Sequence, residues 1–376
     1  MTTKDLFRFY IYPIATMAGS IIGVGFLSLP FITLKVGTWF MLFYFIALAA
    51  LIIFLHVIVA ERTLKTPDFK RFAGFADFYL GSWARNLSLV LNIFGAVGVL
   101  LAYLIIGSEF LMAIFEPFWG KPQVFYVTLY CLVLSSIVYF GAKALSRIEF
   151  WAIILLLASM LLIFFRGFAQ ISLTNLFQPG MESGLMRFFL PYGPIVFSLW
   201  GTGLIPEVEE MLRHGHKHLL KRIIIISTII PAVIYLAFIL LVLGITGEGT
   251  TESALIGIKN QFGNGVAMFT LLIGLITTFT AFIAQGSLLK ETFIYDMKMK
   301  NTLAWLLACF VPLLLYFMGL NSFFGLISFV GGVFLGISGI MILMMYKKIG
   351  GKKYVIYPLS LVFILGMMYE LIFFIL

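Results

Sequence analysis

The chain has 376 residues, of which 62% are hydrophobic and 11% charged. A water-soluble domain carries about 25% charged residues, so this composition excludes an ordinary soluble globule and calls for lipid as solvent. The formal net charge of +9 would suggest a nucleic-acid partner in a soluble protein, but the basic residues lie in short loops between apolar runs. No basic stripe with interleaved exposed aromatics accompanies them, so nucleic acid is excluded as a partner. Cys131 and Cys309 sit inside apolar runs, which excludes a disulfide framework. The first apolar run is too long for a signal peptide and lacks a small-residue cleavage site.

Apolar runs of about 20 residues between charged or Gly/Pro-rich breaks predict eleven membrane spans. In chain order they are 9–34, 37–60, 87–114, 123–141, 148–167, 187–207, 222–245, 264–290, 302–318, 321–346 and 354–375. With the N-terminus cytoplasmic, twenty of the 25 Lys and Arg fall inside. Lys35, Lys121, Arg166, Arg187 and Lys259 remain outside. This bias orients the chain N-in and C-out in a cell inner (plasma) membrane, with the bilayer as its solvent. Residues 1–376 are expected to form one transmembrane domain. The polar stretches 61–86 and 168–186 are short enough for loops with a small surface helix. Segment 251–262 reads either as an amphipathic lid over the external mouth or as a plain connection.

Spans one and six differ from the rest. The first contains Gly19, Gly23 and Gly25, followed by Pro30; the sixth contains Pro191, Gly193, Pro194, Gly201, Gly203 and Pro206. Glycine tolerates unwound backbone and proline removes a donor, so both spans are expected to be interrupted helices. Interrupted helices survive in lipid only where they line a protein cavity. Spans one and six also open two sets of five helices, and matching breaks in two halves point to a transport site near the midplane. Span ten is also rich in glycine (Gly331, Gly332, Gly336, Gly339), and close helix packing suffices to explain it.

The run Met17-Ala-Gly-Ser-Ile-Ile-Gly-Val-Gly-Phe-Leu-Ser-Leu-Pro30, together with Gly201-Thr-Gly-Leu-Ile-Pro-Glu-Val208, resembles the LeuT-fold amino acid permeases. The resemblance is to the amino acid–polyamine–organocation superfamily, nearest the aromatic and hydroxy amino acid permeases and the amino acid/auxin permeases. It implies an all-α membrane protein with a 5+5 inverted repeat (about 9–167 and 187–346) and an extra C-terminal helix at 354–375. It also implies secondary active, cation-coupled symport of an amino acid by alternating access. On that resemblance the substrate carboxylate meets backbone N–H groups at Gly23, Val24 and Gly25, the positive end of a half-helix. The ammonium meets freed carbonyls near Ile21 and in Phe197, Ser198 and Leu199. Tyr103, Phe197 and Trp200 surround the substrate side chain, which favours a neutral, hydrophobic or aromatic amino acid.

The resemblance also carries a sodium site: carbonyls of Ala18, Gly19 and Ile22 with hydroxyls of Thr277 and Thr280, oxygen ligands suited to a small hard cation. One hydroxyl expected there is replaced by Ala281, and threonines in membrane helices also bond back to the preceding turn. A second sodium site of the neurotransmitter relatives needs an asparagine where this chain has Phe26. Proton coupling is the alternative, through Glu109 or His56. Lys4 and Asp296 are the expected inner-gate pair.

The remaining ionisable groups read as bland. His56 and Glu61 are expected to be an interfacial pair at the inner end of span two. Glu207, Glu209 and Glu210 read as a solvated cluster beside basic residues, and His214, His216 and His218 lack the partners of a metal site. No cofactor is implied. There is no Ser/His/Asp set, H-E-x-x-H or P-loop, so the chain is not expected to be an enzyme. A permease-like sensor subunit of the germinant-receptor type, which binds an amino acid without transporting it, remains the alternative to a transporter.

Overall fold

A computed structural model describes residues 3–66, 70–140, 145–212, 216–262 and 264–375. Side chains are described for these residues except at 3, 4, 145–153, 156, 157, 264, 266, 267 and 375. No strand occurs among the described residues. The first apolar run forms α1 (Phe7–Ile21) and α2 (Gly25–Val36), bent by 50° at the intervening residues. Then come α3 (Thr38–Lys65), the short surface helix α4 (Phe72–Leu80), α5 (Ser82–Trp119), α6 (Gln123–Phe140) and α7 (Leu145–Gly167). The sixth run holds α8 (Tyr192–Leu199) and α9 (Ile205–Met211). The rest of the chain forms α10 (Leu220–Thr246), α11 (Leu255–Phe262), α12 (Asn264–Tyr295), α13 (Asn301–Phe317), α14 (Phe323–Lys348) and α15 (Lys353–Ile375).

Among the described residues eight helices are long and apolar enough to cross a membrane, and the bent pair α1–α2 makes a ninth. Shorter apolar helices at Ala158–Gln170 and Asn301–Phe317 stand where the fifth and ninth spans were expected. At a rise of 1.5 Å per residue, the 17 residues of α13 reach about 25 Å, short of a hydrocarbon core of about 30 Å.

The helices form one connected core. Helix α1 lies on α10 and α9; α10 also packs on α3, and α12 packs on α5 and α7. Gly37 turns the chain from α2 into α3 at φ +88°, a conformation that favours glycine. Segment 251–262, read as a lid or a plain connection, contains α11, with Leu255 and Ile258 buried and the Lys259 ammonium donating to the Ala113 carbonyl of α5 at 2.8 Å. Ser253, just before α11, bonds to the Glu109 carboxyl.

The glycines of α14 are packing residues. A Cβ at Gly331 would lie 2.0 Å from the Gly193 carbonyl oxygen, and one at Gly332 would lie 2.2 Å from Glu370 Cγ. This closeness lets α15 reach past α14 to α8. Along α15 the buried residues Ile356, Phe363, Gly366 and Glu370 form one stripe, while Leu361, Leu365, Met368 and Ile372 are exposed on the outer face. Glu370 Oε1 accepts a hydrogen bond from Ser328 Oγ at 2.8 Å, and the same carboxyl receives the Gly193 N–H in the first turn of α8. Such N–H groups have no partner inside their own helix, and an acid there also meets the positive end of the helix dipole. Glu370→Ala strands both donors in a buried site, at about 1–3 kcal/mol each. We expect a clearly lowered thermal unfolding midpoint in detergent for Glu370→Ala. Glu370→Gln, which keeps an acceptor oxygen, should stay near wild type; equal midpoints for all three proteins would refute the anchoring role.

Candidate functional site

The first break is built around Ile22. Its N–H still bonds the Ala18 carbonyl at 3.0 Å, but at φ −75° and ψ 78° it turns the chain out of the helix. Gly23 N–H then closes on the Ile21 carbonyl at 2.8 Å, an inverse γ-turn. The helix restarts as a 3-10 turn at Gly25–Ser28, and Ser28 Oγ donates to the Gly25 carbonyl at 2.9 Å. Gly23 N–H is therefore already engaged. Val24 and Gly25 N–H have no acceptor among the described residues, and they lie at the positive end of the half-helix α2.

In the sixth span, α8 ends at Leu199, Trp200 is extended, and a 3-10 turn over Thr202–Leu204 leads into α9. The glycines of each break let it approach the other. A Cβ at Gly201 would lie 2.7 Å from Ile21 Cγ1, and one at Gly25 would lie 2.5 Å from the Phe197 ring and 2.8 Å from Ser198 Oγ. A Cβ at Gly23 would meet only the Tyr103 hydroxyl, at 3.6 Å. The structure thus brings Ile21, Gly23, Val24, Gly25, Tyr103, Phe197, Ser198, Leu199 and Trp200 to one place. Gly23, Tyr103, Phe197 and Trp200 are partly exposed there.

Two helices outside the broken spans satisfy the freed backbone. Tyr235 of α10, fully buried, directs its hydroxyl to the Ile21 carbonyl at 2.7 Å and the Ser198 carbonyl at 3.2 Å. Gly23 N–H donates to its oxygen. Phe26 stacks on the Tyr235 ring at 5.0 Å, so the residue standing where relatives place a sodium-ligating asparagine instead packs the tyrosine in position. From α3, His56 Nε2 accepts the Gly201 N–H at 3.1 Å, and Nδ1 lies 2.9 Å from Thr228 Oγ1 of α10. His56 is thus a buried residue of the break and not an interfacial partner of Glu61. Glu61 instead faces Arg62 and Lys221, each at 3.8 Å. Glu209 likewise is buried rather than solvated, and it pairs with Lys217 at 2.9 Å.

The other expectations fare unevenly. Thr277 and Thr280 are buried, with hydroxyls donated back to the Ile273 and Thr277 carbonyls at 2.9 and 3.1 Å, so only their oxygen lone pairs remain for a cation. Ala18 O already accepts Ile22 N–H, and Gly19 is partly exposed beside it. Asp296 is exposed at the end of α12; the Lys4 side chain lies outside the described residues, and so does His214. His216 stacks on Phe9 at 4.0 Å, and no cluster of three metal-ligating side chains occurs among the described residues. Sequence reasoning missed Tyr235 and Glu370. Glu370 had a usable signal, an ionisable residue inside a predicted span; Tyr235 had none beyond being a tyrosine in an apolar run.

A model of the tryptophan/tyrosine permease family matches residues 11–358. The tyrosine-specific transport system 1 of Haemophilus influenzae (strain ATCC 51907 / DSM 11121 / KW20 / Rd) is 23% identical over 215 residues, which span 57% of this chain and 52% of that protein. This chain therefore aligns with only about half the length of that relative. Among solved structures, the inward-facing conformation of Mhp1 superposes with a TM-score of 0.68 at 16% identity, covering 96% of this chain and 88% of that one. MhsT in complex with L-phenylalanine gives 0.57 at 16% identity, over 96% and 97%. These likenesses establish the LeuT fold.

Two substitutions probe the site. Tyr235→Phe leaves the buried Ser198 carbonyl without its donor, while the Ile21 carbonyl keeps only its bond from Gly23 N–H; at about 1–3 kcal/mol for an unsatisfied buried acceptor, the unfolding midpoint should fall below wild type, and an unchanged midpoint would show that neither bond matters. Gly25→Val drives a side chain into Phe197 and Ser198, and titration with an aromatic amino acid should then show no binding by the purified variant. Wild-type affinity in that variant would refute the placement of the site between the two breaks.

Proposed function

Because this chain belongs to the tryptophan/tyrosine permease family, we propose that it is a secondary transporter of a neutral aromatic amino acid. The observation that carries this reading is the apposition of the two breaks. Val24 and Gly25, whose N–H groups are unpartnered, follow within a few residues the Ile21 carbonyl, which converges with that of Ser198 on the Tyr235 hydroxyl. A zwitterion needs such a pair: donors for its carboxylate and acceptors for its ammonium. The ammonium would take over acceptors now held by the Tyr235 hydroxyl. Tyr103, Phe197 and Trp200 supply the walls for an aromatic side chain.

The wider architecture follows the same reading: eleven spans, a 5+5 inverted repeat over about 9–167 and 187–346, and an extra helix at 354–375, all within one domain. The charge bias supports an N-in, C-out orientation in the plasma membrane. The outer halves α2 and α8 are buried almost throughout, whereas α1 exposes Ala15, Thr16 and Ser20, a small and partly polar face. That contrast supports a site closed to the outside and approached from the inner side, one state of an alternating-access cycle. Lys4 and Asp296 are proposed to bias that cycle from the cytoplasmic side.

Symport needs a coupling cation. Sodium would use the carbonyls of Ala18, Gly19 and Ile22 with Thr277 and Thr280. A proton would use a titratable side chain that touches a break, and the hydrogen bond from Gly201 to His56 favours the proton.

The test is counterflow in proteoliposomes containing this chain alone. Vesicles preloaded with unlabelled tyrosine or tryptophan should accumulate the radiolabelled amino acid transiently, well above protein-free vesicles. Traces equal to the protein-free control, from protein that still binds tyrosine, would refute transport and leave a sensor. Sodium-dependent uptake that Thr280→Ala weakens would assign the cation to the hydroxyl site.

A further inference from the structure

Hydrogen bonding sets the tautomer of His56. The Thr228 hydroxyl has one proton and donates it to the Ile224 carbonyl at 2.9 Å. At 2.9 Å from His56 Nδ1 it must therefore accept, so Nδ1 carries the ring proton. Nε2 is left with its lone pair, which receives the Gly201 N–H at 3.1 Å. A single relay thus runs from Gly201 N–H through the imidazole and Thr228 to the Ile224 carbonyl. The ring has no exposed surface and touches the edge of Trp200, with centroids 6.5 Å apart. A proton added at Nε2 would set two donors against each other and release Gly201 N–H, the polar group at the middle of the span-six break.

The surrounding elements offer no charge in contact with the ring. On its own helix lie Tyr44, Glu61, Arg62 and Lys65. The packed neighbours carry Lys35 on α2, Tyr192 on α8, Glu207, Glu209 and Glu210 on α9, Lys221, Arg222 and Tyr235 on α10, and Tyr346, Lys347 and Lys348 on α14. None of these is a hydrogen-bond or ring partner of His56, whose partners are Thr228, Gly201 and Trp200. Gly201 and Trp200 are partly exposed and Gly203 is exposed, so the break is uncovered by protein within a few residues of the ring.

We propose that His56 is the positioning residue that holds the span-six break in its binding geometry, and that the coupling proton binds its Nε2 and thereby frees Gly201 N–H. The imidazole takes the proton from the more acidic side, becomes imidazolium while the break relaxes, and returns it on the other side, so one proton crosses per cycle and no bond other than N–H forms. The proposal rests on the transporter reading, and it makes the alternation of the break depend on a side chain of span two.

The test uses proteoliposomes of the full chain with radiolabelled L-tyrosine and two assays: counterflow without gradients, and uptake driven by an inward pH gradient in sodium-free buffer. Wild type should perform both; absence of counterflow would refute the transporter reading, whereas counterflow without pH-driven uptake would refute this proposal alone. Glutamine offers an acceptor to Gly201 and a donor to Thr228 but does not titrate near neutrality. His56→Gln alters the residue that holds the break, so it should slow counterflow without abolishing it, and should lose at least about tenfold more of the pH-driven accumulation than of the counterflow, a split between binding and coupling. Retained pH-driven accumulation in His56→Gln overturns the proposal, and so does loss of counterflow in a monodisperse variant. Should His56→Gln fail to assemble, Thr228→Val decides: removing the acceptor of Nδ1–H should raise the KM for tyrosine by about tenfold at unchanged kcat. An unchanged KM in Thr228→Val overturns the proposal.

Discussion

A backbone N–H or carbonyl in hydrocarbon must find its partner inside the protein, since water cannot supply one. That constraint governs this structure. Unwinding spans one and six frees the Ile21 and Ser198 carbonyls and the Gly201 N–H in the middle of the bundle, and each is met by a side chain from an unbroken helix. Tyr235 supplies a donor to both carbonyls, and His56 supplies an acceptor to Gly201. The stacking of Phe26 on Tyr235 and the bond from His56 to Thr228 then fix those two side chains in turn. The binding geometry is thus set as much by α3 and α10 as by the broken spans themselves.

The breaks were legible because unwinding is a demand on local backbone, and local backbone demands are written locally. Gly25 and Gly201 stand where a Cβ would obstruct, and both prove to be points of contact between the breaks. Most spans were legible for a related reason, as a run of about 20 apolar residues has few stable arrangements outside lipid. The boundaries were less so: α5 extends from Ser82 to Trp119, beyond the expected 87–114, because helix persists into the interface where hydropathy has already fallen. Membership of α1 and α2 in a single bent span was readable; their 50° angle was not, since packing on α10 and α8 sets it.

What the sequence hid were the partners. His56 and Gly201 are separated by 145 positions and Tyr235 and Ile21 by 214, so no window on the chain contains both members of either pair. His56 was visible as an ionisable residue in a span, yet its position near charged Glu61 and Arg62 suggested the interface; the structure buries it because α9 and α10 cover that face of α3. Glu370 was overlooked for a different reason. It lies on α15, outside the two repeats expected from the sequence, where the inverted-repeat logic assigns no role, and the small residues Gly193, Gly331 and Gly332 allow it to reach α8. Helix α15, the last in the chain, thus anchors the first turn of α8.

The two supporting side chains occupy matching positions in the proposed inverted repeat, since α3 and α10 each follow the broken helix of their own half. Each nevertheless serves a break in the other half: His56 from the first repeat bonds Gly201, and Tyr235 from the second bonds Ile21. The halves are therefore tied by polar bonds at the very residues that must rearrange, and their chemistry differs in a useful way. A phenol has one proton for two carbonyls, so an arriving ammonium, with three donors, can displace it by exchange. Exchanging one hydrogen bond for another changes the free energy by only about 0.5–1.5 kcal/mol per bond, which permits both binding and release. The imidazole is different: both of its nitrogens are engaged in one relay, and an ammonium has nothing to offer Gly201 N–H. On the proposed transport reading, substrate can therefore unlock the Tyr235 side of the site but not the His56 side, which needs an agent that acts on a lone pair. Two locks of different chemistry, one opened by the substrate and one by a second species, are what obligatory coupling requires of a site between two moving halves.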